Sequence, residues 1–378
     1  MDRKKIINAG IISLLVLGVL ALVFFDNKWE LVEPQNVVLG DPENVFEDKI
    51  EAKKLYSIEI PYDVYEKIDE NNWIDAVVDV PDSIRTKGFQ KAKGTVKKID
   101  QEKVLGIIED YYHPVFEGED DYDIRYSGED GMYFSFQKVV GSAYLMTDTY
   151  IILRTAYQDS IGDSYYNREL YALESDLSNF TVDECDQVLQ EIYERFGIKG
   201  EVNVIHRALD YQTMEDEAVE LRMDGTETKP DYDWSEDDNS YHCTISQGCN
   251  GVSVIPSWRF QSAADILNAG AHTIVLNKDR VVGLDIDDIY DIKYQQEYED
   301  LLEFSEVLNL YKQSPTINKY SYCKEITDIS LRVIPVAEKG DVYTLAPVWV
   351  FYGRWFDEQQ TFEAPFAIIL DAVTGEEL

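Results

Sequence analysis

Apolar residues fall into three patterns along this chain: one unbroken run, several alternating stretches and a few stripes at helical spacing. The unbroken run comes first. Ile6 to Phe25 is charge-free and largely apolar, and it breaks at Asp26-Asn27-Lys28. About 20 helical residues rise about 30 Å, enough to cross the hydrocarbon core of a bilayer. Arg3, Lys4 and Lys5 precede the run, so the positive-inside bias keeps the N-terminus cytoplasmic and places the rest outside. A cleavable signal peptide has a shorter core followed by small residues. Here Val19-Leu20-Ala21 is the one plausible cleavage site, and it lies inside the run. Residues 6–25 therefore read as an uncleaved single-pass anchor, with cleavage after Ala21 as the alternative. Phe24, Phe25 and Trp29 suit the outer interface. Residues 29–55, polar and broken by Pro34, Gly40 and Pro42, read as a stalk.

Alternation predicts strands at Tyr56–Ile60 and at Trp73–Val80, the latter stopped by Pro81. Asp100 can cap a helix through Tyr112, with Val104, Ile107, Ile108 and Tyr111 on one face. An acidic loop at Glu117–Asp123 follows, then aromatic strands at Met132–Phe136 and Thr149–Tyr157. Thr181-Val-Asp-Glu184 is a capping box, and Phe180 and Cys185 occupy staple positions around it. Its helix carries Val188, Leu189, Ile192, Tyr193 and Phe196 as a stripe and ends at Gly197. A strand at Glu201–Leu209 comes next.

The pattern then predicts a hairpin, Tyr241–Gln247 with Val252–Ile255, around Asn250-Gly251. A second hairpin pairs His272–Leu276 with Val281–Ile286. A helix from Glu297 to Tyr311 would align Tyr298, Leu301, Phe304, Leu308 and Tyr311, and the last strands are Ile329–Val336, Leu345–Tyr352 and Phe366–Leu370. Hairpins rather than crossovers link these strands. The expected fold class is therefore α+β: an N-terminal transmembrane helix, then two lobes of antiparallel sheet with packed helices, residues 56–160 and 161–378.

Composition narrows the function more than the fold. With Lys+Arg 34 against Asp+Glu 73, the net charge is −39, which repels nucleic acid and anionic lipid head groups. Nucleic-acid binding is excluded as a function class. Four cysteines are few for a disulfide-built fold. Cys185 reads as a packed residue of its helix, and with Cys249 beside the tight Asn250-Gly251 turn, Cys243 lies several residues down the ladder, beyond bridging reach.

Catalytic signatures are missing. His113, His206, His242 and His272 show no zinc-protease spacing. His242 and Cys243 are strand neighbours, so they point to opposite faces and cannot share an ion. Ser321-Tyr-Cys-Lys324 has a Ser-x-x-Lys spacing, but it precedes a strand and lacks a Lys-Thr-Gly partner. No nucleophile elbow, phosphate loop or dinucleotide fingerprint occurs. With so many carboxylates, close pairs are guaranteed and single none out. No catalytic or cofactor-binding residue is assigned, and metal ligands are unassigned. Calcium at Glu119–Asp123, Asp231–Asp238 or Asp285–Asp288 is the one ion weighed, against solvated loops.

Two stretches carry a resemblance. Ser246-Gln-Gly-Cys-Asn-Gly-Val-Ser-Val254 resembles a hairpin in which Gln precedes an Asn/Asp-Gly turn. Ala346-Pro-Val-Trp-Val-Phe351 and Ile369-Leu-Asp-Ala-Val-Thr-Gly375 resemble a Pro-x-Trp strand with a partner ending in Asp-Ala-x-Thr-Gly. Both are similar to PepSY-like modules and to the YycH/YycI-type accessory proteins of Gram-positive bacteria. Asp75-Ala-Val-Val-Asp-Val-Pro81 is also similar to a stretch in clostridial surface proteins whose domains have no known function. The resemblance spans roughly residues 180–378, and Cys249 and Ser253 depart from its usual hairpin residues. It implies a membrane-anchored extracytoplasmic protein that modulates a sensor kinase by protein contact. Its partners would be the membrane, through residues 6–25, and another membrane or envelope protein. The alternatives are a PepSY-like inhibitor or chaperone of an extracellular protease, and an envelope hydrolase acting through acidic residues.

Overall fold

Asn72–Asp79 shows how the alternation works: Ile74, Ala76 and Val78 are buried while Asp75, Val77 and Asp79 face solvent. This computed structural model describes residues 59–378 apart from 98–99, 139–141, 158–169, 222–226, 256–271, 288, 320–322 and 357–362. The early strands are β1 (Asp63–Lys67), β2 (Asn72–Asp79), β3 (Gln90–Val96), β4 (Val115–Glu119), β5 (Asp123–Ser127), β6 (Tyr133–Gln137) and β7 (Ser142–Met146). The middle ones are β8 (Val202–Leu209), β9 (Glu220–Leu221), β10 (Glu227–Thr228), β11 (Ser240–Cys249), β12 (Val252–Ser253), β13 (His272–Asn277) and β14 (Val281–Ile286). The last are β15 (Tyr290–Tyr298), β16 (Cys323–Ala337), β17 (Val342–Phe356) and β18 (Glu363–Asp371). The helices are α1 (Asp82–Lys87), α2 (Gln101–Glu109), α3 (Asp148–Ala156), α4 (Val182–Phe196), α5 (Tyr211–Glu217), α6 (Phe304–Gln313) and α7 (Pro315–Lys319).

Two large sheets organise these elements. The first runs β1-β2-β16-β17-β3-β15, with β18 on the later half of β17. The second runs β12-β11-β13-β14-β7-β6-β5-β4, with β8 on the free side of β11. Both draw strands from either side of residue 160.

Each sheet is covered by helices whose apolar stripes fit it. In the first, Trp349 and Phe351 on one face of β17 meet Phe304 and Tyr311 of α6, with Tyr311 and Phe351 stacked at 4.3 Å. In the second, Ile274 and Leu276 join the core under α2 and α4, while Val275 between them joins a smaller core with Leu153 of α3 and Met214 of α5. Burial on both faces explains why β13 and β14 read as nearly continuous apolar runs.

The segment Gln247–Ile255 ties the two sheets together. Asn250 and Gly251 have φ of +59° and +80°, the left-handed values a two-residue hairpin turn demands. The Gln247 side chain clamps the Tyr290 backbone of β15, and the Asn250 side chain clamps the Gln90 backbone of β3. Further on, Val254 bridges Val333 of β16, and the Ile255 N–H donates to the Val333 carbonyl at 2.7 Å.

The expected fold class is overturned. Strand outweighs helix about two to one, in two large sheets, rather than α+β lobes of antiparallel sheet. The first sheet is also mixed: β16 lies parallel to β2, with Ile74 opposite Ile326. Alternation shows that a segment is a strand but carries no information about the direction of its neighbour. The expected transmembrane segment (6–25) and stalk (29–55) lie outside the described residues. Among the described residues, no helix is long and apolar enough to cross a membrane.

Local expectations also need correction. Thr149–Tyr157 is not a strand but mostly α3: the Thr147 hydroxyl accepts from the Tyr150 N–H at 3.0 Å, and Leu153 and Ala156 are buried one turn apart. A formed N-cap and a buried stripe outweigh the strand preference of Tyr150, Ile151 and Ile152. Helix α6 begins at Phe304 rather than Glu297, because Tyr298 pairs with Gln90 and the Glu299 N–H donates to the Phe89 carbonyl at 2.8 Å. The edge of β3 takes residues that would otherwise have continued the helical stripe. Glu59 and Ile60 lie outside any strand, and Val115–Glu119 is β4, so part of the acidic loop is strand.

Candidate metal centre

Three side chains far apart in sequence converge beneath the first turn of α4. The capping box fixes that turn: the Glu184 N–H donates to Thr181 Oγ1 at 3.2 Å, and the Thr181 N–H donates to Glu184 Oε2 at 2.9 Å. Phe180 packs on Tyr241 at 5.1 Å between ring centroids, which lays the turn over β11. Cys185 then points at the sheet. There His206 of β8 and Cys243 of β11 are direct partners across the antiparallel pair, so their side chains share one face.

The Sγ atoms of Cys185 and Cys243 are 3.5 Å apart, and one ligating atom from each of Cys185, His206 and Cys243 falls within 4.8 Å of the others. Both cysteines are fully buried and His206 is 4% exposed. Glu174 secures the histidine from behind. Its carboxylate accepts from the His206 backbone N–H at 2.8 Å and meets His206 Nδ1 at 3.0 Å, while its own N–H donates to the His206 carbonyl at 2.9 Å. Glu174 adopts a left-handed backbone, φ +49°, to do so. The other ring nitrogen, Nε2, is buried and lies 3.0 Å from Asp186 Oδ1.

The electrostatics follow from this packing. The Cys243 thiol, hydrogen-bonded to Cys185, draws the Cys185 thiol down to about 7 against the effect of burial, and His206 adds to the shift. Burial works to lower His206, but its bonds to Cys185 and Glu174 outweigh it and raise the imidazole to about 9. Cys243 is pushed upward by burial and by sharing a proton with Cys185. The packing thus makes Cys185 the more acidic thiol and His206 the more basic ring of a Cys185–His206 pair. Full burial denies that pair a substrate, which separates it from the partly exposed cysteines that act as nucleophiles. Two sulfurs and an imidazole are instead a soft donor set for a transition-metal ion.

Cys185 is the packed helix residue its position suggests. The sequence did not reveal its company, because α4, β8 and β11 meet only through the sheet. A usable signal existed: Cys185 lies on the inward face of α4, and pairing the two predicted strands Glu201–Leu209 and Tyr241–Gln247 would have shown it facing His206 and Cys243. His242 points away from this cluster and packs on Tyr157 at 4.4 Å. Cys249 belongs to the core of the first sheet while Cys243 belongs to that of the second, and both are free.

Two carboxylates of the acidic clusters bond to their own chain. Asp120 accepts from the N–H groups of Tyr122 and Asp123 and pairs with Arg125. Asp238 accepts from the Ser235 N–H at 2.8 Å and from the Tyr232 hydroxyl. Asp285 lies within β14, where its backbone is in register with Thr273 and Tyr144, and Asp288 lies outside the described residues. Lys324 sits within β16 rather than at a helix start, and Ser321 is not among the described residues.

No family model matches the chain, and no curated protein matches it. Among solved structures, the crystal structure of an uncharacterized protein from Eubacterium rectale ATCC 33656 is similar, with a TM-score of 0.58 at 18% identity. The match covers 84% of this chain and 93% of that one. At that identity the likeness concerns the fold alone.

Proposed function

We propose that this protein is a membrane-anchored extracytoplasmic regulator, without enzymatic activity, that works by pairing with another envelope protein in the manner of YycH/YycI-type accessory proteins. The anchor rests on the run Ile6–Phe25. The contact reading rests on one observation, the edge strand β4. It closes the second sheet with one side unpaired among the described residues, and it exposes Val115 and Phe116, 62% and 57%, on opposite faces. Soluble proteins usually blunt such edges with charge or cover them. Here Glu117 and Glu119 follow, so the open half is apolar and the remainder acidic. This pattern suits an added strand that carries basic residues opposite the two glutamates. The buried Cys185–His206 pair, closed to substrate, is consistent with a non-enzymatic role.

The test is a photo-crosslinking residue at position 117 in living cells. The expected product is one adduct with a defined membrane protein, lost when Val115→Thr and Phe116→Lys are combined in a chain that still folds. Absence of any adduct, with signalling unchanged by the double variant, would overturn the reading.

A further inference from the structure

We propose that Cys185, His206 and Cys243 form a site for one zinc ion that fastens α4 to the second sheet. This inference is independent of the β4 contact surface.

The geometry separates this from the two simpler readings, a bridged pair and an inert core pair. A disulfide requires its sulfurs at about 2.05 Å. Two thiolates bound at about 2.3 Å to one tetrahedral ion stand about 3.8 Å apart, close to the 3.5 Å found here. An inert core pair has no use for a histidine, since burying an imidazole is costly. His206 is nonetheless buried here, with a ring nitrogen within 4.8 Å of both sulfurs. Glu174 engages Nδ1 and so leaves Nε2 as the ligating atom. A carboxylate behind the histidine is the usual support of a metal-bound imidazole. Asp186 Oδ1 lies 3.0 Å from Nε2 on the solvent side of the three donors.

Two sulfurs select against calcium and magnesium, which take oxygen ligands, and suit zinc. The three donors are buried away from any substrate, which suits an ion that holds the fold together rather than a hydrolytic one. Proton balance is simple: the cysteines bind as thiolates and His206 as neutral imidazole, so loading releases the protons those groups hold in the empty site. Glu174 and Asp186 have side chains about half exposed, which gives an ion a short path from solvent.

The full-length protein, purified in detergent without chelator, is expected to hold one zinc per chain by elemental analysis. Replacing zinc with cobalt should give the thiolate-to-cobalt charge-transfer absorption of two sulfur ligands. Cys185→Ser, Cys243→Ser and His206→Ala should each abolish stoichiometric binding. These buried changes threaten folding, so Glu174→Gln at an exposed carboxylate provides the decisive variant. It should leave the apo protein folded and weaken zinc by about 10–100-fold. Absence of stoichiometric zinc with free thiols, or a chain two hydrogens lighter that resists thiol reagents until reduced, would overturn the proposal. Glu174→Gln binding zinc as tightly as the wild type would also overturn it.

Discussion

Gln247 and Tyr290 meet as two strands would. The Gln247 Nε2 donates to the Tyr290 carbonyl at 2.9 Å, and the Tyr290 N–H donates to Gln247 Oε1 at 2.7 Å. The primary amide thus stands in for a peptide group and joins β11 of one sheet to β15 of the other. A glutamine just before the Asn-Gly turn therefore has a structural meaning: it is the inter-sheet fastener. Gln247→Ala leaves a buried N–H and a buried carbonyl unpaired, at a cost of about 2–4 kcal/mol. Chemical denaturation should show this loss, and Gln247→Glu, which lacks the donor, should lose stability as well. A change below about 0.5 kcal/mol would mean the two sheets do not rely on the clamp.

Asn250 repeats the device. Its Nδ2 donates to the Gln90 carbonyl at 2.9 Å, and the Gln90 N–H donates to its Oδ1 at 3.1 Å. Asn250 must also hold φ at +59°. Asn250→Gly keeps the turn and loses the clamp, whereas Asn250→Ala loses both. Alanine should therefore be the worse variant by about 1 kcal/mol, and equal Tm values would show that the turn carries no strain.

Arg85 secures the start of the described fold. Its guanidinium donates to the carbonyls of Val78 at 3.0 Å, Val80 at 3.2 Å, Pro61 at 2.8 Å and Ile60, and lies 4.2 Å from the Tyr62 ring centroid. Lysine cannot reproduce that fork. Arg85→Lys and Arg85→Ala should each cost about 2–4 kcal/mol and expose the chain near Ile60 to limited proteolysis. Unchanged cleavage kinetics would disprove the pinning.

The α4 cap predicts an acid dependence. Backbone and side-chain hydrogen bonds from Thr181 hold the Glu184 carboxyl below its ordinary value. A carboxylate depressed in the folded state stabilises above its unfolded value and loses that contribution as pH falls through the folded one. The cap should thus weaken on the acid side of ordinary glutamate titration and remain unaffected near neutrality. Thr181→Ala should cost about 1 kcal/mol at neutral pH, and Glu184→Gln should flatten the acid limb of a stability-versus-pH profile. An acid limb unaltered by Glu184→Gln would rule out this origin.

What could be read in the chain was local. The box at Thr181, the stop at Gly197, the turn at Asn250-Gly251, the Asp100 cap and the alternation of Asn72–Asp79 are each set by contacts within a few residues, so sequence alone specified them. Residues 149–157 and 297–303 were misread where a neighbour in space outcompeted local preference: a buried face for the first, the edge of β3 for the second.

The tertiary structure decided everything that depends on pairing across the chain. Whether β16 slots in parallel beside β2, and whether His206 stands opposite Cys243, depends on register, which is settled by burying both faces of a sheet at once and leaves no local trace. The candidate metal centre is a product of that register. Cys185 was visible as a core residue, but its ligand partners exist only once β8 and β11 lie side by side beneath α4.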